Sequence, residues 1–163
     1  MTAKLRDRLF VVGAGVLLVA SLAIGSWMGY GYWQDRQAEQ AREDSVAVAR
    51  RAVEGMFGYN FKTIDADMAK VTEDMSDDFK QDWDKVTETV LVPGAKEQEL
   101  VVKATIVGSG VIKTEADEAE VMIFINQQTT GKDPASGTYD ASRLRVKLER
   151  PDDRWLVSDV DPI

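Results

Sequence analysis

Neither cysteine nor histidine occurs among the 163 residues, and these two absences remove much of the chemistry a small protein can carry. Without cysteine there is no disulfide framework, no thiol nucleophile and no lipid-modified thiol, so a folded domain must hold together through its core. Without histidine, the usual zinc ligand and the side chain that titrates near neutral pH are missing. Positive charge is scarce as well, with 20 Lys and Arg against 28 Asp and Glu. Beyond residue 8 the count is 17 against 27, a surface that repels phosphate backbones and anionic headgroups. The expectations are therefore no nucleic-acid partner, no cofactor, no metal and no enzymatic activity. Proline is also rare, and none precedes Pro93.

What the chain does have is a run of 25 residues, Leu9 to Trp33, without a charged side chain. Roughly 20 apolar helical residues cross a bilayer, so residues 9–33 read as a transmembrane helix. Trp27, Tyr30, Tyr32 and Trp33 cluster at one end, where amphipathic rings favour the headgroup level. Lys4, Arg6 and Arg8 precede the run with only Asp7 against them, whereas Asp35 to Asp44 is net acidic. Positive flanks stay in the cytoplasm. The reading is a cytoplasmic tail (1–8), a single span in the inner (plasma) membrane (9–33), a helical extension (34–58) and a periplasmic domain (59–163). A cleaved signal peptide is the alternative, but its apolar core would be only about 7–15 residues and would end in a small-residue cleavage site. Ser21, Gly25 and Gly29 recur every four residues, putting small side chains on one face, as close helix contact in lipid requires. Chance is the plainer explanation, since glycine is common in membrane helices.

From Gln34 to Phe57 the chain is rich in helix formers, and Val46, Ala49, Val53, Met56 and Phe57 follow the 3.6-residue period. Gly58 is a natural C-cap. A second helix is expected over 64–73 behind Thr63 as N-cap. A third is expected from Asp77 to about Val90 behind Ser76, with Phe79, Trp83, Val86 and Val90 as one apolar stripe ended by Pro93-Gly94. The period then changes to two. Leu100, Val102, Ala104, Ile106 and Ile112 form one face of a long strand, with a bulge invited at Gly108-Ser109-Gly110. Strands follow at 121–128, around Leu144, Val146 and Leu148, and at Trp155-Leu156-Val157, with a loop at 131–137. Helices followed by a meander give an α+β order, with one curved four-stranded antiparallel sheet wrapped on its helices.

Three polar features invite a function. Asp74, Asp77, Asp78, Asp82 and Asp84 lack the glycine and spaced oxygens of a calcium loop, and read as the solvated start of the third helix. Asn126, Gln127 and Gln128 line either a polar pocket wall or a strand leaving the core. Arg143, Arg145 and Lys147 form a basic stripe that either pairs with Glu118 or Glu120 across strands or docks an acidic partner.

The run Ser142-Arg143-Leu144-Arg145-Val146, followed by Arg154-Trp155-Leu156-Val157-Ser158-Asp159-Val160-Asp161-Pro162, resembles the carboxy-terminal signature of actinobacterial mammalian-cell-entry (Mce) associated membrane proteins. Pro93 with Lys96-Glu97-Gln98, Asn126-Gln127 with Thr129-Thr130, and Tyr59-Asn60-Phe61 with Ile64-Asp65-Ala66-Asp67 agree in order and spacing. The resemblance implies a cone-shaped nuclear-transport-factor-like outer domain and association with the permeases and Mce subunits of a lipid-import ABC transporter. It carries over no catalytic residues. Three roles follow as expectations: an accessory scaffold subunit, a lipid or sterol carrier holding its ligand in the cone, or an inner-membrane scaffold of a type IV secretion system.

Overall fold

Helix-forming residues with an apolar side chain every third or fourth position carry residues 39–57 through one continuous helix, α1. The computed structural model describes residues 39–133 and 137–163. The chain divides into two units, Met1–Glu39 and Gln40–Ile163. The apolar run 9–33, including Ser21, Gly25, Gly29, Trp27, Tyr30, Tyr32 and Trp33, lies outside the described residues, as do residues 34–38 and 134–136. Among the described residues no helix is long and apolar enough to cross a membrane.

Gly58 follows α1, but not as a left-handed cap, since no glycine among the described residues has positive φ. Its N–H continues the helical pattern to the Glu54 carbonyl at 2.9 Å. A Cβ there would lie 2.8 Å from that carbonyl oxygen and 3.3 Å from Ala104 Cβ. The residue is small so that the end of α1 can meet the sheet. Gly58→Val should therefore cost about 1–3 kcal/mol of overpacking strain and lower the Tm by roughly 3–12 °C. Gly110→Ala, where an added Cβ meets nothing within 4 Å, should leave the melt unchanged.

The chain then forms β1 (Tyr59–Asn60) and α2 (Ile64–Val71), with Ile64, Met68 and Val71 buried. Thr63 occupies the N-cap position, but its hydroxyl donates to Asp67 Oδ2 at 2.7 Å and makes no cap bond. A 3₁₀ turn, Thr72–Asp74, ends this helix earlier than expected. Ser76 precedes α3 (Asp77–Val86), again without a side-chain cap. Its N–H instead donates to the Val157 carbonyl at 2.9 Å, tying the start of α3 to the last strand.

The third helix departs most from expectation. A π-helical turn, Thr87–Leu91, follows α3 and leads directly into α4 (Val92–Gln98), so Pro93-Gly94 does not end the helical run. Pro93 sits in the first turn of α4, where its missing N–H and preset φ are tolerated. The π turn inserts an extra residue per turn and rotates the following side chains around the axis. Thr87 and Ala95 turn inward, while Val86 and Val90 are 51% and 66% exposed. Val86, still within α3, already faces solvent, so the expected stripe stops at Trp83. The run ends at Glu99, which is left-handed with φ 53°.

The sheet comprises β1, β2 (Val101–Thr114), β3 (Glu118–Thr130), β4 (Thr138–Glu149) and β5 (Leu156–Pro162), all antiparallel neighbours in chain order. It has five strands, not four, because Tyr59 and Asn60 pair with Val102 and Val101. Extra residues in β2, at Val107 and at Ile112, shift the register against β3. Such bulges bend a strand and sharpen its twist. The first one inverts the expected alternation beyond it, so that Gly108, Gly110 and Ile112 fall on the outer side and Ile112 is left 48% exposed.

Ala49, Ala52 and Val53 of α1 pack against Ile106, Val121, Ile123, Ile125, Leu144, Val146, Leu148, Trp155 and Val157. Alanines on the helix allow close approach to the sheet, and burial of the larger side chains contributes about 1.5–3 kcal/mol each. Ser45, fully buried beside them, donates its hydroxyl to the Arg42 carbonyl at 3.0 Å. Two smaller clusters, around Met56, Val71 and Met75 and around Ile64, Met68 and Ala95, share Trp83.

Candidate interaction surface

Strand alternation sends one half of each strand's side chains to α1 and the other half outward. On the outer face, Met122 stands opposite Arg145 and Phe124 opposite Arg143, while Gly110 and Gly108 face them from β2. With no side chain on either glycine, Phe124 remains 42% exposed. A Cβ on Gly108 would lie 3.4 Å from the Phe124 ring.

The basic stripe is divided by its partners. Lys147 is salt-bridged to Asp159 at 2.6 Å and Asp161 at 3.6 Å on β5, not to Glu118 or Glu120, although Glu120 is its register neighbour. The hydrogen bond from Lys147 to Asp159 and the adjacent negative charge raise the ammonium above its ordinary pKa. Asp159 and Asp161 are thus half-buried members of this bridge. Arg143 and Arg145 form no salt bridge among the described residues, and with Phe124 they make up the uncovered part of the stripe.

The signature residues come together for a structural reason. Leu144 stands opposite Pro162, Lys147 opposite Asp159 and Leu148 opposite Val157. Leu144, Trp155 and Val157 are buried, and Leu156 is half-buried. Ser142 donates to Asp140 Oδ2 at 3.2 Å. Most of this signature therefore specifies how the last two strands pair.

Gln127 points inward, and its Nε2 donates to the Phe57 carbonyl at 3.4 Å. It satisfies a carbonyl of the last turn of α1, which has no intrahelical partner. Asn126 and Gln128 lie on the outer face, opposite Ala141 and Tyr139. The acidic set is dispersed. Asp74 accepts two hydrogen bonds from Arg51, at 2.6 and 2.9 Å, which raise the guanidinium pKa, and Asp82 pairs with Lys85 at 3.0 Å. No group of three potential metal ligands occurs among the described residues.

The residues missed in sequence are Met122 and Phe124, together with the glycines facing them. Residues 121–125 read as one apolar run, whereas strict alternation separates Val121, Ile123 and Ile125 from Met122 and Phe124.

The curled antiparallel sheet packed against helices is an α+β fold similar to that of nuclear-transport-factor-like and VirB8-like domains. It resembles an IcmL-like type IV secretion system protein from Legionella pneumophila, with a TM-score of 0.60 and 12% identity, covering 72% of this chain and 90% of that one. An ntf2-like protein with a cystatin-like fold from Novosphingobium aromaticivorans matches with a TM-score of 0.57 and 11% identity, over 80% of this chain and 86% of that one. These likenesses concern the fold alone. The chain belongs to the family described as uncharacterized protein Rv1363c/MT1408-like, which matches residues 9–163. A relative named outer membrane protein Rv1973, from Mycobacterium tuberculosis, is 32% identical over 157 residues, covering 94% of this chain and 97% of that protein.

Proposed function

We propose that this protein is a non-enzymatic accessory subunit, anchored in the inner membrane by residues 9–33, whose outer domain organises an Mce-type lipid-import transporter. One observation carries the scaffold part of this reading. The inner face of the sheet is occupied by the chain's own α1, whereas the outer face leaves Phe124 and Arg143 exposed beside the half-buried Arg145. The envelope location is supported by the name of the mycobacterial relative and by the charge asymmetry about the span. The Mce connection rests on the carboxy-terminal signature. A type IV secretion scaffold is a second reading, favoured by the fold of the Legionella protein. It has less support, because the 12% identity there contrasts with 32% over nearly the whole chain in the mycobacterial relative.

Protease added outside intact spheroplasts should digest the chain after Gln34; protection of that part would refute the topology. Purification of the full chain from native membranes in mild detergent should bring down transporter permeases and Mce subunits. Failure of both to appear would refute the assignment. Gly25→Leu with Gly29→Leu should preserve abundance but abolish co-purification and lower lipid uptake, because the added side chains push a neighbouring helix away. If co-purification persists, the contact belongs to the outer domain, and Arg143→Glu with Arg145→Glu should remove it.

A further inference from the structure

Thr87, the first residue of the π turn, is only 6% exposed, yet its hydroxyl has no hydrogen-bond partner among the described residues. Three other hydroxyls on helical segments find one close by. Ser45 donates to the Arg42 carbonyl at 3.0 Å, Thr72 to the Ala69 carbonyl at 2.9 Å and Thr89 to the Lys85 carbonyl at 2.6 Å. Folding back onto the preceding turn is the ordinary resort of a helical threonine, and Thr87 does not take it. Four residues earlier, on the same face of the helix, the indole Nε1 of Trp83 is also buried without a partner. The Trp83 ring packs on both of the smaller apolar clusters, so the two groups stand where those clusters meet. Buried polar groups in folded proteins are nearly always hydrogen-bonded, and π turns recur at functional sites.

We propose that Trp83 and Thr87 together bind one neutral hydroxyl oxygen, that of a water molecule or of an apolar alcohol. The two side chains set this chemistry. An indole N–H only donates, so the ligand must accept from it, while the threonine hydroxyl can either donate to the ligand or accept from it. An oxygen that carries both lone pairs and a hydrogen answers both partners at once. A charged ligand is excluded on cost, because no charged side chain is buried among the described residues to balance it. The apolar clusters on either side suit the body of an alcohol, a few placed polar groups in apolar surroundings being the usual make-up of a small-molecule site. This site stands whether or not the chain assembles with a transporter.

The sign of one substitution tests it. Valine has the shape of threonine without the hydroxyl, so if that hydroxyl met nothing, Thr87→Val would raise the Tm. A bound oxygen reverses the sign, because the substitution leaves the Trp83 N–H unmet. Thr87→Val in the full-length chain in detergent should therefore lower the Tm by roughly 3–8 °C. In a Trp83→Phe background the same change should have less than about half that effect, since the oxygen has already lost its other partner. The ultraviolet resonance Raman difference between wild type and Trp83→Phe should show a hydrogen-bonded indole N–H, retained in Thr87→Ser and lost in Thr87→Val. Native mass spectrometry of the same detergent-purified chain separates the two sources. An adduct present in the wild type and absent from Thr87→Val identifies an alcohol, and a wild type without such an adduct identifies water. A Tm raised or unchanged by Thr87→Val would overturn the proposal, as would a Trp83 N–H band that is unbonded in the wild type or indifferent to Thr87→Val.

Discussion

Ile123→Lys should leave the outer domain unfolded, while Met122→Lys, one position earlier on the same strand, should barely change its stability. Ile123 is fully buried between α1 and the sheet, with Val121, Ile125, Leu144 and Val146 around it. An unpaired ammonium there costs several kcal/mol after relaxation, and the lost apolar burial adds about 2 kcal/mol more. Together these approach the whole stability of a typical domain, about 5–15 kcal/mol. Met122 lies on the other side of the strand, half-buried and opposite Gly110 and Arg145. A lysine there keeps its stem on the sheet and its charge in water, at a cost of about 0.5 kcal/mol or less, with some repulsion from Arg145. Circular dichroism melts of the two full-length variants in detergent provide the comparison. Equal melts would mean that the faces of β3 have been assigned wrongly.

Trp155→Ala should cost about 3–5 kcal/mol and lower the Tm by roughly 10–20 °C. The indole is 4% exposed within the main cluster. The Arg150 guanidinium also lies 5.6 Å from its ring centroid, an attraction lost with the ring. Trp155→Phe should recover most of the loss, because the indole N–H is buried without a hydrogen-bond partner and its removal forfeits no bond. Trp83→Ala should do less damage, about 2–3 kcal/mol, since this ring is half-buried where the two smaller clusters meet. A larger loss from Trp83 than from Trp155 would make the junction of the small clusters, not the inner sheet face, the main source of stability. Both measurements use urea unfolding followed by tryptophan fluorescence.

Periodicity alone determined the α+β order, the helical stretch to Phe57, and the inward set Leu144, Val146 and Leu148. In each of these an uninterrupted 3.6- or 2-residue pattern already states which face must leave water. The composition likewise excluded disulfide and thiol chemistry before any fold was known. Only the tertiary structure decided the fate of Val90 and Ile112. A π turn and a bulge each insert residues that move everything beyond them to another face, and their placement depends on packing and pairing elsewhere. The same holds for the fifth strand, where two residues are held only because β2 lies alongside. It holds also for Lys147, whose salt bridges run to β5 instead of β3, leaving Arg143 and Arg145 as the uncovered charges. These are consequences of register between distant segments, and the local pattern along one strand carries no information about which neighbour's carboxylate will be nearest.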